Sequence, residues 1–267
     1  MAESSRCTVI VLAAQRAGVV NPLAERAGVS HKCVVPIDGK PLIVHVMDAL
    51  AQVSPPPKVR ISVEPEIHEE LTALFAPYAA RGLEIDFIAS SSNIAQSVLI
   101  AAEGLTGPIV ITTADNVLLT PDAVNDVRRE LAEADVVACL ARDVAVRAVH
   151  PDAQRNFYKF RDGGYANCNL YGVAGPNAFA AVEVFREGGQ FQKNPKRLIT
   201  AFGLLNILLV RFGLVTLAGA MKLASRRFRL KFRALVFEDG TAAVDVDNER
   251  TYGIAEMVLK RRHPPAD

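Results

Sequence analysis

Four side chains are of types that suit nucleotide chemistry: Lys32, Asp115, Asp245 and Asp247. Asp245 and Asp247 stand two apart in Ala242-Ala-Val-Asp-Val-Asp-Asn. A strand's period of two would put both carboxylates on one side, where two hard oxygen donors can face one ion. Asp115 follows the apolar run Ile109-Val-Ile-Thr-Thr-Ala, so a strand would deliver its carboxylate to one edge of a sheet. Lys32 adds a mobile positive charge. Such a set suits attack on the α-phosphorus of a triphosphate, where negative charge must be neutralised and the nucleophile kept in line. Two of them also have a plainer reading: Asp115 as a turn residue at a strand end, Asp247 as a helix N-cap.

The elements that must position these groups follow from periodicity. Residues 9–14 are apolar and β-branched, as in a strand buried on both faces of a parallel sheet. The loop after such a strand turns its backbone N–H groups toward the crevice where α/β sheets bind phosphorylated ligands. Pro36-Ile-Asp-Gly-Lys-Pro41 reads as a turn, with Pro41 at the first position of a helix over 42–50. Strand-like and helical runs then alternate: 58–64 and 67–80, 84–89 and 94–104, 109–113 and 123–134, then 135–140. That alternation predicts an α/β fold with a mostly parallel, Rossmann-like sheet covered by helices. Thr120-Pro121-Asp122 reads as a cap, a proline and an acidic first turn.

At these residues the chain resembles the nucleoside-triphosphate transferases of the molybdenum-cofactor guanylyltransferase type, and more loosely the sugar-phosphate and polyol-phosphate nucleotidylyltransferases. Leu12-Ala13-Ala14, Lys32 and Gly39-Lys40-Pro41-Leu42 match the opening of that family. Gln15 and Ala17 stand where it has two glycines, and Gly18 falls one position late. The resemblance implies the nucleotide-diphosphosugar transferase (GT-A-like) fold and a nucleotide cradle of Leu12, Ala13, Ala14, Gln15, Arg16 and Gly18. It also implies Mg²⁺ held by Asp115 and Asp247 with Asp245 in support, and Lys32 on the phosphates. Ser97 falls where the family has a serine near the nucleobase; a plain residue of the first helical turn is the alternative.

Residues 142–190 form the expected acceptor-side segment. In Arg155-Asn-Phe-Tyr-Lys-Phe-Arg-Asp-Gly-Gly-Tyr-Ala-Asn-Cys-Asn, aromatic and basic residues alternate before a Gly-Gly turn. Arg161, Tyr165, Asn167 and Asn169 are the acceptor candidates; a hairpin that binds nothing is the alternative. A phosphate monoester, with a second pKa of about 6, is already an anionic nucleophile at neutral pH, so no general base is demanded. The missing Ser-His-Asp or Cys-His constellation therefore does not exclude an enzyme.

A different composition marks residues 190–233, expected to be a basic, apolar helical insertion in one domain spanning 1–267. From 190 to 237 there is no Asp or Glu but ten Lys and Arg: Lys193, Lys196, Arg197, Arg211, Lys222, Arg226, Arg227, Arg229, Lys231 and Arg233. The chain is +1 overall, so the rest of it is −9. Residues 201–221 are interrupted by one charge and have the length of a membrane span. A single crossing would, however, part Asp115 from Asp247. Two helices packed on the sheet, the first opening at Pro195 and the second starting after Gly213 and ending near Arg227, are the simpler expectation. A basic face resting on anionic lipid is the functional one.

Four cysteines without metal spacing, five scattered histidines and no leader-like segment point to reduced thiols in a cytoplasm; the lipid-facing alternative for the basic block would add peripheral contact at the inner membrane face. Nucleic acid is an unlikely ligand for a basic block so rich in aliphatics. The expected activity is Mg²⁺-dependent transfer of a nucleotidyl group, from CTP or GTP first, to a phosphorylated small molecule or lipid precursor, releasing pyrophosphate. The rivals are a non-catalytic nucleotide-binding or membrane scaffold and a glycosyltransferase on the same fold. The second usually carries Asp-x-Asp where this chain has Ala114-Asp115-Asn116.

Overall fold

A computed structural model describes residues 6–15, 21–179 and 213–262. Its main sheet is built from β1 (Thr8–Leu12), β4 (Lys58–Val63), β5 (Ile85–Ala89), β6 (Ile109–Thr113), β7 (Val136–Arg142), β8 (Tyr158–Phe160), β9 (Gly163–Val173) and β10 (Phe232–Phe237). The order is β10-β7-β9-β6-β1-β4-β5, with β8 added on β9. β9 runs antiparallel to β6, β7 and β8, and the other pairs are parallel. β2 (Pro36–Ile37) and β3 (Lys40–Pro41) make a small ribbon, the expected turn.

The helices are α1 (Pro22–Ala27), α2 (Leu42–Leu50), α3 (His68–Ala79), α4 (Ile94–Ala102), α5 (Pro121–Glu130), α6 (Asp143–Val149), α7 (Leu217–Phe228) and α8 (Glu249–Arg262). Alternation within the strands divides them between two faces. Val9, Val11 and Val110 pack in one large core with residues of α2, α3, α5 and α8. Ile10, Ile109 and Ile111 pack on the other side with Val98, Ala101 and Ala102 of α4. Every strand of the centre is thus buried on both faces, which is why residues 9–14 read as a continuous apolar run.

Helix starts follow the sequence signals. Asn93 caps α4 by accepting from Ala95 N at 2.9 Å and Gln96 N at 3.3 Å. Thr120 caps α5 from its hydroxyl, with Pro121 next. Pro41 sits at the cap of α2, one position earlier than expected.

Two expectations are corrected. Residues 244–247, expected as a final strand, follow a 3-10 turn (Gly240–Ala243) as irregular chain outside the sheet, with Asp247 N donating to Asp245 O at 3.2 Å. The last strand is instead β10, made from the end of the basic stretch, where Phe232, Ala234, Leu235, Val236 and Phe237 pair with β7. Alternation of Lys231 and Arg233 with apolar residues is a strand pattern that the charge run concealed. The second expected helix of the insertion exists as α7; the first, with Lys193, Lys196, Arg197 and Arg211, lies outside the described residues. Among the described residues no helix is long and apolar enough to cross a membrane.

Candidate active site

β1 lies between β6 and β4, so the chain leaves its carboxyl end on one side toward β4 and later returns on the other at β6. That divergence opens a crevice at the carboxyl ends of the strands, the usual ligand position in such sheets. Backbone bonds pin its rim: Ala114 N donates to Leu12 O at 2.9 Å, and Val246 N to Asp115 O at 3.1 Å. The second bond brings the 244–247 segment beside the end of β6 without making it a strand.

At this rim Lys32, in a 3-10 turn (Lys32–Val34), reaches the other two elements. Its Nζ donates to Asp115 Oδ2 and, at 3.0 Å, to Asp247 Oδ1. Lys32 is 18% exposed and Asp115 16%, whereas Asp247 is 59% exposed. Burial works against the charge on Lys32, yet the attraction of Asp115 and Asp247 outweighs it and holds the ammonium form above its ordinary range. Thr113 Oγ1 donates to the other oxygen of Asp115. Asp247 is not the cap of α8. Asn248 Oδ1 accepts from Arg250 N at 3.1 Å and Thr251 N at 3.3 Å, while Thr251 Oγ1 accepts from Asp247 N at 2.9 Å. The cap is made one residue later, and the Asp247 carboxylate is left to face Lys32.

Asp245 completes the cluster: one oxygen from each of Asp115, Asp245 and Asp247 lies within 4.8 Å of the others. Burial, then the neighbouring carboxylates of Asp115 and Asp247, push its pKa well above the ordinary range. That crowding tests whether the set suits a cation. Three hard oxygen donors converge with one ammonium among them, and a hard divalent ion relieves the repulsion that a lysine alone does not. The residues fit Mg²⁺ or Mn²⁺ and, lacking His or Cys, do not resemble a zinc site.

Around this cluster the structure places the other expected residues unevenly. Leu12 ends β1, and Ala13, Ala14 and Gln15 form the start of the loop. Gln15 N donates to Glu64 Oε1 at 2.9 Å, and its side chain reaches Ser30 O at 3.2 Å, turned along the loop. Arg16, Ala17 and Gly18 lie outside the described residues. Ser97 is buried in α4, where its hydroxyl accepts from Ser91 N at 2.8 Å and returns a bond to Ser91 O at 3.2 Å. It shapes the 90–92 turn before the helix.

Beside Asp245 opens a cavity of about 180 Å³ between the loop after α6 and β9, lined by residues 154 and 156–158, Asn167, Asn169 and Asp245. Two of the four acceptor candidates, Asn167 and Asn169, are in its wall. The other two are not. Tyr165 is buried against Leu140 and Leu217 with its ring 5.8 Å from that of Phe160, and Arg161 is exposed with its N–H on Val215 O. Tyr165 keeps the strand face of Asn167, since the pairing with β7 is regular from 165 to 167, but Leu140 and Leu217 cover it there; the register shift and the φ of 48° at Asn169 come only after Asn167.

Gln154 is the member that sequence reasoning missed. Its Nε2 donates to Ala243 O and to Asp245 Oδ1, both at 3.1 Å. It lies in an irregular turn 91 residues before its partner, and no local pattern marks it.

With the geometry in place, comparisons with known proteins identify the site's relatives. The family model of the MobA-like NTP transferase domain matches residues 9–240. A hypothetical transferase structure from Thermus thermophilus superposes with TM-score 0.70 at 26% identity, covering 92% of this chain and 99% of that one. At 10% identity, 4-diphosphocytidyl-2C-methyl-D-erythritol synthase from Anaerococcus prevotii gives 0.63, covering 97% of this chain and all of that one. CMP:2-keto-3-deoxy-manno-octonic acid synthetase complexed with CTP gives 0.57 at 10% identity, with the same coverages. The last two likenesses show the fold. No protein of curated function matches in sequence.

Proposed function

The chain belongs to the MobA-like NTP transferase family and is a nucleotidyltransferase, and from that premise we propose a Mg²⁺-dependent transfer of a nucleotidyl group from CTP or GTP to a phosphorylated acceptor, with release of pyrophosphate. The observation that carries the reading is the convergence of Lys32, Asp115, Asp245 and Asp247 at the carboxyl edge of β1 and β6. CTP is placed first because the names of two structures of this fold contain a cytidine nucleotide.

In this reading the loop after β1 supplies main-chain donors to the triphosphate, and Lys32 turns from its carboxylates to the phosphate oxygens that carry the growing charge. Asp115 and Asp247, with Asp245, would hold the magnesium ion, which supplies charge neutralisation on the phosphates and a fixed angle between nucleophile and leaving group. The acceptor's body occupies the carboxamide cavity, and its phosphate faces the rim. A monoester anion attacks the α-phosphorus directly, one P–O bond forms as the bond to pyrophosphate breaks, and no side chain need take a proton. The chain acts chiefly by positioning and charge.

The finer suggestion is that the acceptor is a lipid precursor and that the protein works on the inner face of a membrane. Support comes from α7 and the residues after it, where Lys222 and Arg226, one helical turn apart, and Arg229 and Lys231 are exposed. Each Lys or Arg near anionic lipid is worth about 1 kcal/mol. Binding to vesicles containing phosphatidylserine but not to neutral vesicles is the expected result; equal binding to both, or none, removes this part and leaves the transferase standing.

The primary test is thermal stability with CTP, GTP, UTP and ATP in turn, with and without Mg²⁺, followed by pyrophosphate release with a panel of phosphate monoesters. Nucleotide at a hundredfold over Kd should add about 2.7 kcal/mol, a shift of several degrees. No shift with any triphosphate would leave a family member that has lost its nucleotide site, and the scaffold reading would replace this one.

A further inference from the structure

Asp245 belongs to both the cation cluster and the acceptor cavity, and its two oxygens are held from the cavity side. Gln154 Nε2 donates to Oδ1 and Asn169 Nδ2 to Oδ2, each at 3.1 Å. The donors come from separate elements, the loop after α6 and strand β9. Each is itself anchored. Gln154 shares its N–H group with Ala243 O at 3.1 Å. Asn169 Oδ1 accepts from Asn167 Nδ2 at 2.8 Å, and Asn167 Nδ2 also donates to the Tyr171 hydroxyl at 2.6 Å. The left-handed backbone at Asn169, with φ 48°, is a conformation that asparagine adopts more readily than most residues, and it accompanies the inward turn of that amide.

The donors are neutral, and that matters. A Lys or Arg in either place would orient Asp245 equally well but would cancel the charge that a cation needs. Carboxamides fix the direction of both oxygens and leave the full negative charge to the ion, as outer partners of metal ligands commonly do.

We infer that Gln154 and Asn169 are positioning residues that set Asp245 for the divalent cation from within the acceptor cavity, an inference that rests on the cation-dependent reading above. The cavity wall and the cation site are then one hydrogen-bonded unit, joined by Asp245.

Mn²⁺ binding to the full-length chain, followed by water-proton relaxation without any substrate, tests this without reference to turnover. Gln154→Met keeps the side chain's length and Asn169→Gly keeps the left-handed backbone; each removes one amide. Either change should weaken Mn²⁺ by about 10–100-fold, with melting in metal-free buffer moved by no more than a few degrees. Because the two residues sit on separate elements, failure of one variant to fold leaves the other to decide. Unchanged Mn²⁺ affinity with lowered melting would mean a merely structural network and would overturn the inference. Asp115→Asn separates the two layers. If it and the wild type show the same negligible binding, the cation reading itself falls and takes this inference with it. If Asp115→Asn weakens binding and the two amide variants do not, only the positioning role is lost.

Discussion

The rim at the ends of β1 and β6 and the cavity beside β9 share Asp245 and differ in nearly every other respect. The rim is ionic: one ammonium is held between two carboxylates, delivered by segments that follow or abut parallel strands. The cavity is neutral, apart from Asp245 itself, with carboxamides and aromatic rings from an antiparallel hairpin and an irregular turn. Full charges are worth most where the reaction develops charge, whereas paired donors and acceptors suit the choice among uncharged hydroxyls. On the proposed function the contrast would be a division of labour, with the rim setting the rate and the cavity setting which acceptor is used.

Asp115→Ala is the sharpest way to break that division. It removes the proposed ligand atom, a partner of Lys32 and the acceptor of Thr113 at once. Several kcal/mol of charge stabilisation is at stake, and at about 1.4 kcal/mol per factor of ten, turnover should fall by about 10³-fold or more. Pyrophosphate release measures it, with circular dichroism to show that the fold persists. Normal turnover would remove the rim from the chemistry. Lys32→Met should cost less, about 10²-fold in kcat/KM, because the cation remains to neutralise the phosphates; a loss confined to acceptor KM would contradict the contrast.

The rim was legible in the sequence because strand-end residues are fixed by short-range pattern. An apolar run of known length places Asp115, and Lys32 is singled out by the resemblance of the loop after the first strand to the family's opening. The two-residue spacing of Asp245 and Asp247 implies one side of a strand, whereas the structure brings their carboxylates together on a tight turn outside the sheet, with Asp247 N donating to Asp245 O at 3.2 Å. The cavity was half legible. Alternation puts Asn167 and Asn169 on one face with Tyr165 but does not show that Leu140 and Leu217 cover Tyr165, and Gln154 was invisible, because contact between an irregular turn and a segment 91 residues later leaves no periodic trace. β10 was hidden for a related reason: charge dominated the reading of a stretch whose alternation was the stronger structural signal.

On the cavity side smaller effects are expected, and of another kind. Tyr158→Ala removes a ring from the cavity wall that contacts neither the carboxylates nor Lys32 in any described bond. Acceptor KM should rise by about 10-fold, which corresponds to about 1.4 kcal/mol, with triphosphate KM and kcat nearly unchanged. Initial rates at varied acceptor and saturating triphosphate would show it. A fall in kcat with KM constant would assign the ring to the transition state, and the two regions would no longer divide as proposed.

The smallest expected effect lies between the regions, at Asn248. Its side chain caps α8 while Asp247, one residue earlier, faces Lys32. Losing such a cap costs about 1 kcal/mol, which for a chain of this size lowers Tm by roughly 2–4 °C. Thr251 still holds the Asp247 and Asn248 backbone N–H groups, at 2.9 and 3.2 Å, so Asn248→Ala should reduce stability and spare kcat/KM to within a few-fold. Asn248→Asp, which can cap equally well, should restore Tm. It also adds a carboxylate beside the cluster, so its Mn²⁺ affinity reports on charge while its Tm reports on capping. If Asn248→Ala instead behaves like Asp115→Ala, the cap and the ligand act as one device, and the rim depends on the start of α8 as much as on its own ion pairs.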